Sequence, residues 1–126
     1  MSSFIKPLLI EYTDGESYKL IEEFDYYVSE GPDAEIIRVP AGFVTDFASI
    51  PRGLWNIFPP TGKYGKAAVI HDYIYVMGGR IPGSSKVYTK LDADMIFRDA
   101  MKILGVSWFV RNVMYMAVRI GGRGNF

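Results

Sequence analysis

The spacing of apolar residues changes near residue 60, and this change limits the folds open to the chain. Before it, β-rich runs such as FIKPLLIEY and YKLIEEFDYYV are separated by the turn sequences TDGES and SEGPDA. Asp-Gly and Gly-Pro pairs between such runs are typical of hairpins. After it, apolar residues recur every three to four positions, as they do in helices. The sequence therefore predicts an α+β fold, with a small antiparallel sheet from residues 1–58 packed against three helices within residues 62–121.

Local signals mark where the predicted elements bend, begin and end. Pro40 and Gly42 within EIIRVPAGFVTDF predict a bend or an edge position in the third strand. KYGKAAVIHDYIYVM is expected to end at Gly78–Gly79, KLDADMIFRDAMKIL at Gly105, and SWFVRNVMYMAVRI to begin at the cap residue Ser107. The second helix is predicted to bury one apolar face, formed by Leu91, Met95, Phe97, Met101 and Leu104.

The last predicted helix, from about Ser107 to Ile120, has few strongly polar residues. A helix without a polar face either lies deep in a core or presents apolar surface to a partner. The sequence therefore predicts that one side of this helix is exposed, apolar and used for association.

Composition excludes several classes of protein. A chain of 126 residues suits one domain, residues 1–126. Lys and Arg together equal Asp and Glu at 14 each, so the total charge gives no reason to expect nucleic acid as the main partner. There is no cysteine, so any bound cation must use oxygen ligands and at most the single histidine, which favours a hard cation such as calcium. No apolar tract is long enough to cross a bilayer, and no signal peptide is recognisable.

His71, the only histidine, lies in the apolar run GKAAVIHDYIY. On a helix it shares a face with Tyr75, whereas Asp72 points about a quarter-turn away and is expected to have a different partner. A histidine that acts as a base needs a second group to orient its ring. Among the candidates Asp46, Asp92, Asp94 and Asp99, Asp94 is best placed, because it lies on the apolar face of the next helix and a buried acid needs a partner.

Two interpretations of the predicted His71–Asp94 hydrogen bond stay open. It either fixes two helices to each other, or it forms a catalytic dyad with Tyr75 nearby. Upstream, the polar residues of VPAGFVTDFASIPRGLW predict a structural turn, in which the Asp46 side chain accepts from backbone N–H groups, and a nucleophilic role for Ser49 has little support. The residues of this turn are Thr45, Asp46, Ser49 and Arg52.

The segments VPAGFVTDFASIPR, GKAAVIHDYIY, DADMIFRDAM and VRIGG together resemble a family of small uncharacterised proteins, DUF1353, over residues from about 39 to 122. The family is frequent in tailed bacteriophages and prophages. The resemblance implies a phage-encoded protein and names no reaction.

A second, looser resemblance is to the two-helix core of bacterial phospholipases A2, where a His-Asp-x-x-Tyr helix faces a helix that carries an aspartate. AAVIHDYIY and DADMIFRDAM are similar to that pattern. The resemblance implies that His71 activates water, that Asp72 binds calcium, that Asp94 orients His71, and that Tyr75 is a supporting hydroxyl. Asp46 is a further candidate ligand if the chain is a hydrolase that uses a hard cation.

Two functional hypotheses follow. The first is a structural or accessory component of the virion, in the tail or its attachment region, made in the host cytoplasm. It would contact other phage structural proteins or copies of itself, which a nearly neutral, aromatic-rich chain suits. The alternative is a hydrolase that depends on a divalent cation and uses the His71–Asp94 dyad.

Overall fold

The computed structural model divides into two compact units, Met1–Asp46 and Phe47–Phe126. The structure describes residues 10–12, 18–28, 35–45, 65–84 and 86–121. The described part of the first unit contains strands and that of the second contains helices, which confirms the predicted α+β class. The boundary between the two units falls after Asp46. Packing of the sheet on the helices within a single domain stays a prediction.

The described strands form two antiparallel sheets, where the sequence predicted one. β1 (Ile10–Tyr12), β2 (Tyr18–Leu20) and β5 (Val44–Thr45) form a three-stranded sheet in the order β1-β2-β5. β3 (Phe24–Tyr27) pairs with β4 (Ile36–Val39), with Phe24 opposite Val39. The largest buried residues of this unit lie on β2, β3 and β4, and they are Leu20, Phe24, Tyr26, Ile37 and Val39.

Two sheets form because each of two long predicted strands is broken. YKLIEEFDYYV bends at Ile21 and Glu22, which separates β2 from β3. EIIRVPAGFVTDF turns at Ala41–Gly42, which separates β4 from β5 and confirms the predicted bend. Gly42 has a φ of 90°, a conformation that favours glycine, and its N–H donates to the Leu20 carbonyl at 2.8 Å. This turn directs the chain from one sheet into the other.

Three helices make up the described part of the second unit: α1 (Gly65–Val76), α2 (Lys90–Ile103) and α3 (Trp108–Gly121). α1 packs against α2, and α2 packs against α3. The predicted stops of α1 and α2 are confirmed, since Gly78 and Gly105 have φ values of 62° and 84°. The Ser107 hydroxyl accepts from the Val110 N–H at 3.4 Å, as a cap at the start of α3 does.

α2 begins with a capping box that the sequence analysis did not single out. The Thr89 hydroxyl accepts from the Asp92 N–H at 3.1 Å, and the Asp92 carboxylate accepts from the Thr89 N–H at 3.0 Å. Asp92 therefore stabilises the helix start, and this removes it from the candidate partners of His71.

The buried face of α2 differs from the predicted one. Leu91 and Met95 are 45% and 38% exposed, so their predicted place in the core is wrong. The inward face of α2 carries the small residues Ala93 and Ala100, which allow a neighbouring helix to approach closely. The same face carries the acid Asp94. The buried residues of α2 are Ala93, Asp94, Ile96, Phe97, Ala100 and Met101.

α1 is buried on nearly all sides, with Ala67, Ala68, Ile70 and Ile74 fully buried. None of the described helices combines the length and the apolar character that a membrane crossing needs.

Candidate functional site

The carboxylate of Asp94, in α2, is fully buried and accepts hydrogen bonds from two other helices. Its Oδ1 accepts from His71 Nε2 at 2.6 Å and from the Tyr75 hydroxyl at 2.7 Å, both on α1. Its Oδ2 accepts from Arg119 Nη1 on α3 at 2.8 Å. The predicted His71–Asp94 hydrogen bond is confirmed. We call these residues, together with Lys90, the Asp94 cluster.

The α1 side chains of the cluster are held by their spacing and by packing. His71 and Tyr75 are four residues apart, so both lie on the face of α1 that meets α2. The imidazole lies 4.2 Å from the Tyr75 ring and 5.0 Å from the Phe97 ring, measured between centroids. Contacts with two aromatic rings fix the plane of the imidazole and aim Nε2 at Asp94.

Lys90 and Arg119 bring two positive charges to the same carboxylate. Lys90 precedes Asp94 by one helical turn, and its Nζ lies 3.6 Å from Asp94 Oδ2. The same Nζ lies 3.4 Å from the carbonyl oxygens of Val118 and Arg119. A cation at the carbonyl end of a helix interacts favourably with its dipole. The start of α2 and the end of α3 are therefore joined through one lysine and one carboxylate.

Burial lowers the pKa of His71, and the hydrogen bond and charge of Asp94 oppose this effect only in part. A protonated imidazole would also add a third positive charge beside Lys90 and Arg119, which disfavours protonation of His71. Burial raises the pKa of Asp94, but hydrogen bonds from His71 and Tyr75 outweigh it, so the pKa lies below its usual value. At neutral pH His71 is therefore neutral and Asp94 is ionised.

The charge of Asp94 determines the tautomer of His71. An ionised carboxylate can only accept, so the proton must be on His71 Nε2 and the lone pair on Nδ1. The Tyr75 hydroxyl also donates to Asp94. Burial is the main cause that raises the pKa of Tyr75, and this hydrogen bond is the second, so the hydroxyl stays protonated. The cluster thus holds a neutral imidazole in one orientation and one tautomer.

Two further predicted site residues are described, each within its own unit. Asp72 is half-buried on α1, and Thr45 is buried in β5 opposite Tyr18. Asp46, Ser49 and Arg52 fall outside the described residues, so their predicted roles stay predictions.

A cation site needs several ligands that lie close together. Within the described ranges, no three His, Cys, Asp or Glu side chains are close enough to hold a metal ion. Asp72 is the only described residue of the predicted calcium ligands, because Asp46 lies outside the described ranges, and the calcium site stays a prediction.

Lys90 and Arg119 are the site residues that the sequence analysis did not identify. The signal for Lys90 was present, because a lysine four residues before an acid pairs with it on a helix. Arg119 lies on a mostly apolar helix, where a cation is a natural partner for a buried acid of another helix. Its pairing with Asp94 depends on how α3 packs, which residue spacing within α3 does not reveal.

Comparisons with known proteins place the chain among relatives. The family described as "Protein of unknown function (DUF1353)" matches residues 18–118. "Uncharacterized protein y4jT" of Sinorhizobium fredii (strain NBRC 101917 / NGR234) is 32% identical over 114 residues, which cover 89% of this chain and 32% of that protein. The chain thus spans about a third of the length of that curated relative. No solved structure matches.

Proposed function

The chain belongs to the DUF1353 family, and from its Asp94 cluster we propose that it is a hydrolase in which His71 takes a proton from water. One observation supports this most: Asp94 Oδ1 accepts from both His71 Nε2 and the Tyr75 hydroxyl, at 2.6 and 2.7 Å. A general base needs a fixed ring, a fixed tautomer and a group that stabilises its protonated form. The cluster supplies all three.

The proposed reaction begins when the lone pair of His71 Nδ1 accepts a proton from a water molecule. The water oxygen attacks the carbonyl carbon of an ester, and Asp94 stabilises the imidazolium through Nε2–H. The bond from carbon to the leaving oxygen then breaks, and the imidazolium returns its proton to that oxygen. The products are a carboxylic acid and an alcohol, and His71 is neutral again. His71 is 3% exposed, so the proposed reaction requires an opening that admits water and the ester to Nδ1.

Positive charge at the cluster affects the protonation of both Asp94 and His71, and Arg119 and Lys90 supply it. Their charges keep Asp94 ionised, which preserves the tautomer of His71. Burial and, to a smaller extent, the charge of Lys90 disfavour the imidazolium, so His71 is in its proton-accepting form at neutral pH but is a weaker base than an ordinary histidine. The proposed reaction uses only water and side chains of the Asp94 cluster.

Phospholipid esters are the substrates that the resemblance to phospholipases A2 implies. Release of fatty acid from phospholipid, with calcium and with a chelator, tests the proposal directly. We expect His71→Asn to abolish release and Asp94→Asn to lower it about 100-fold or more, the usual range for loss of assisted proton transfer. We expect Tyr75→Phe to lower it less, because His71 and Arg119 still contact Asp94.

Val76→Ser is the matched control, since Val76 lies on α1 next to Tyr75 and is 66% exposed. If His71→Asn is as active as Val76→Ser, His71 is not the base. If the wild-type chain releases no acid from phospholipid or from simple esters under either condition, the hydrolase proposal is wrong.

A second candidate is the structural component of a phage virion, acting through protein contacts. It is supported by α3, on which Trp108 and Phe109 are each 68% exposed. In this case the Asp94 cluster only joins three helices. Mass spectrometry of purified virions tests it: the chain should be present in stoichiometric amounts, and its absence from the particle would exclude this role.

A further inference from the structure

One side of α3 is apolar and exposed along its whole length. Phe109, Val113, Met116 and Ile120 are 68%, 38%, 55% and 81% exposed, and their spacing of four, three and four residues places them on one face. We call this row the α3 stripe. It is about 16 Å long at the rise of an α-helix. Met114 and Val118, on another face, are buried, so α3 is anchored to its unit while the stripe faces water.

The sequence segment that carries the α3 stripe has charges of one sign, although the chain as a whole is balanced. All 14 acidic residues lie before residue 100. Residues 100–126 contain Lys102, Arg111, Arg119 and Arg123 and no acidic residue. Of these, Lys102 is exposed at the end of α2, close in sequence to the start of α3. The apolar stripe is thus carried by a segment that is purely basic.

We propose that α3 docks on an anionic lipid surface, with the α3 stripe inserted among the lipid chains and the exposed Lys102 near the head groups. An amphipathic helix with aromatic and aliphatic residues on one side and only basic charges lies in such an interface. Trp108 lies beside Phe109 at the start of α3, and its amphipathic ring favours the boundary between lipid head groups and acyl chains. The inference goes beyond the hydrolase proposal and holds whether or not His71 is a base.

Charge and shape favour lipid over the other occupants. A second copy would bring together two segments that contain no acidic residue, so its α3 would offer no acid to Lys102 or Arg111. Arg119 is already paired with Asp94. Side chains that are 55–81% exposed, such as Met116 and Ile120, project into water. A protein partner must offer cavities that match such side chains, whereas fluid acyl chains rearrange around them.

Co-sedimentation of the full chain with vesicles tests this. We expect at least about tenfold stronger binding to phosphatidylcholine vesicles with about 30% phosphatidylglycerol than to pure phosphatidylcholine, and weaker binding as salt rises. Phe109→Ser combined with Met116→Ser should weaken binding by at least about tenfold, and Lys102→Glu by a smaller factor. Val87→Ser, at a position that is 53% exposed outside α3, should bind as the wild type does.

Fluorescence gives a local readout. The chain has two tryptophans, so Trp55→Phe leaves Trp108 as the only one, and the tryptophan emission should shift to the blue on anionic vesicles. His71→Asn should dock normally, which separates failure of docking from failure of hydrolysis. The inference is overturned if the wild type does not bind anionic vesicles, or if the Phe109/Met116 double variant binds them equally well. A self-association in ultracentrifugation that this double variant abolishes, without vesicle binding, would show a second copy to be the occupant.

Discussion

Asp25 in the strand unit and Asp94 in the helical unit are both buried aspartates with an arginine in hydrogen-bond contact. Asp25 accepts from Arg38 Nε and Nη2 at 2.9 and 3.2 Å, directly across the β3–β4 pair. Arg38 is 52% exposed, and its hydrogen bond to Asp25 raises the Arg38 pKa. Asp94 instead meets its arginine on a separate helix, and that arginine is 33% exposed.

The two ion pairs differ in what they connect. The Asp25–Arg38 pair reinforces two strands that are already held by backbone hydrogen bonds, and water can reach its arginine. The Asp94 cluster connects positions 23 and 25 residues away, on helices that share no backbone hydrogen bonds. A half-exposed pair contributes little because solvent screens it, whereas removal of one partner from a buried network leaves an unpaired charge. The same pair of residue types thus has a local role in one unit and a long-range role in the other.

The largest expected effect is that of Asp94→Asn. An amide cannot neutralise Arg119 and cannot accept from three donors as a carboxylate does. The change therefore leaves buried polar groups without a hydrogen-bond acceptor or an opposite charge. We expect a loss of about 3 kcal/mol in the free energy of unfolding, measured by urea denaturation followed by circular dichroism.

Asp99→Asn is the control for this change, because Asp99 is an exposed acid on the same helix. It should alter the free energy of unfolding by no more than about 0.5 kcal/mol. If Asp94→Asn has an effect as small as this control, the cluster does not connect the helices energetically, and the contrast with Asp25 disappears.

A direct comparison of the two arginines sharpens the contrast. We expect Arg119→Gln to lower the free energy of unfolding by about 2 kcal/mol and Arg38→Gln by about 1 kcal/mol or less. The reason is that water replaces the half-exposed Arg38 more readily than it replaces Arg119. Both variants are measured in the same urea series, and a larger loss for Arg38→Gln would reverse the proposed order.

The smallest expected effect is that of pH. The pKa of folded His71 is lowered, so between that value and about 6.5 the unfolded chain binds more protons, and stability rises with pH. His71 therefore contributes stability that is fully present above about pH 6.5 and is lost as pH falls through the folded pKa, by at most about 1.4 kcal/mol per pH unit.

His71→Asn should remove this slope, because His71 is the only histidine in the chain. The lowered pKa of Asp94 adds a second loss of stability below about pH 4, where the unfolded carboxylate takes up a proton. Urea midpoints at pH values from about 5 to 8 measure the first window. If the slope of stability against pH is unchanged in His71→Asn, groups other than His71 cause that slope.

The site was more predictable than the sheets, for a physical reason. Helical spacing places His71 and Tyr75 on one face, and burial forces Asp94 to find a partner, so this contact followed from the sequence. Strand pairing depends on which distant segment lies alongside, and the turn at Gly42 redirects β5 to pair with β2. Residue patterns within a strand do not contain that information.

The errors in the helical unit have a similar origin. Leu91 and Met95 were assigned to the core because they are apolar, but the small residues Ala93 and Ala100 permit closer helix contact and set the inward face. Arg119 was missed because its partner lies on another helix. In both cases the decisive quantity is how closely two helices approach, which depends on both sequences together.

Burial of α1 on nearly all sides has a consequence for motion. Water reaches the backbone amides of such a helix only when the packing around it opens, so its amide protons exchange on the timescale of cooperative unfolding. α3, with one side in water, can open at its ends at a much lower free energy. His71 therefore lies on the element whose fluctuations are rarest, and the α3 stripe lies on one that can adjust its surface while the imidazole stays in place.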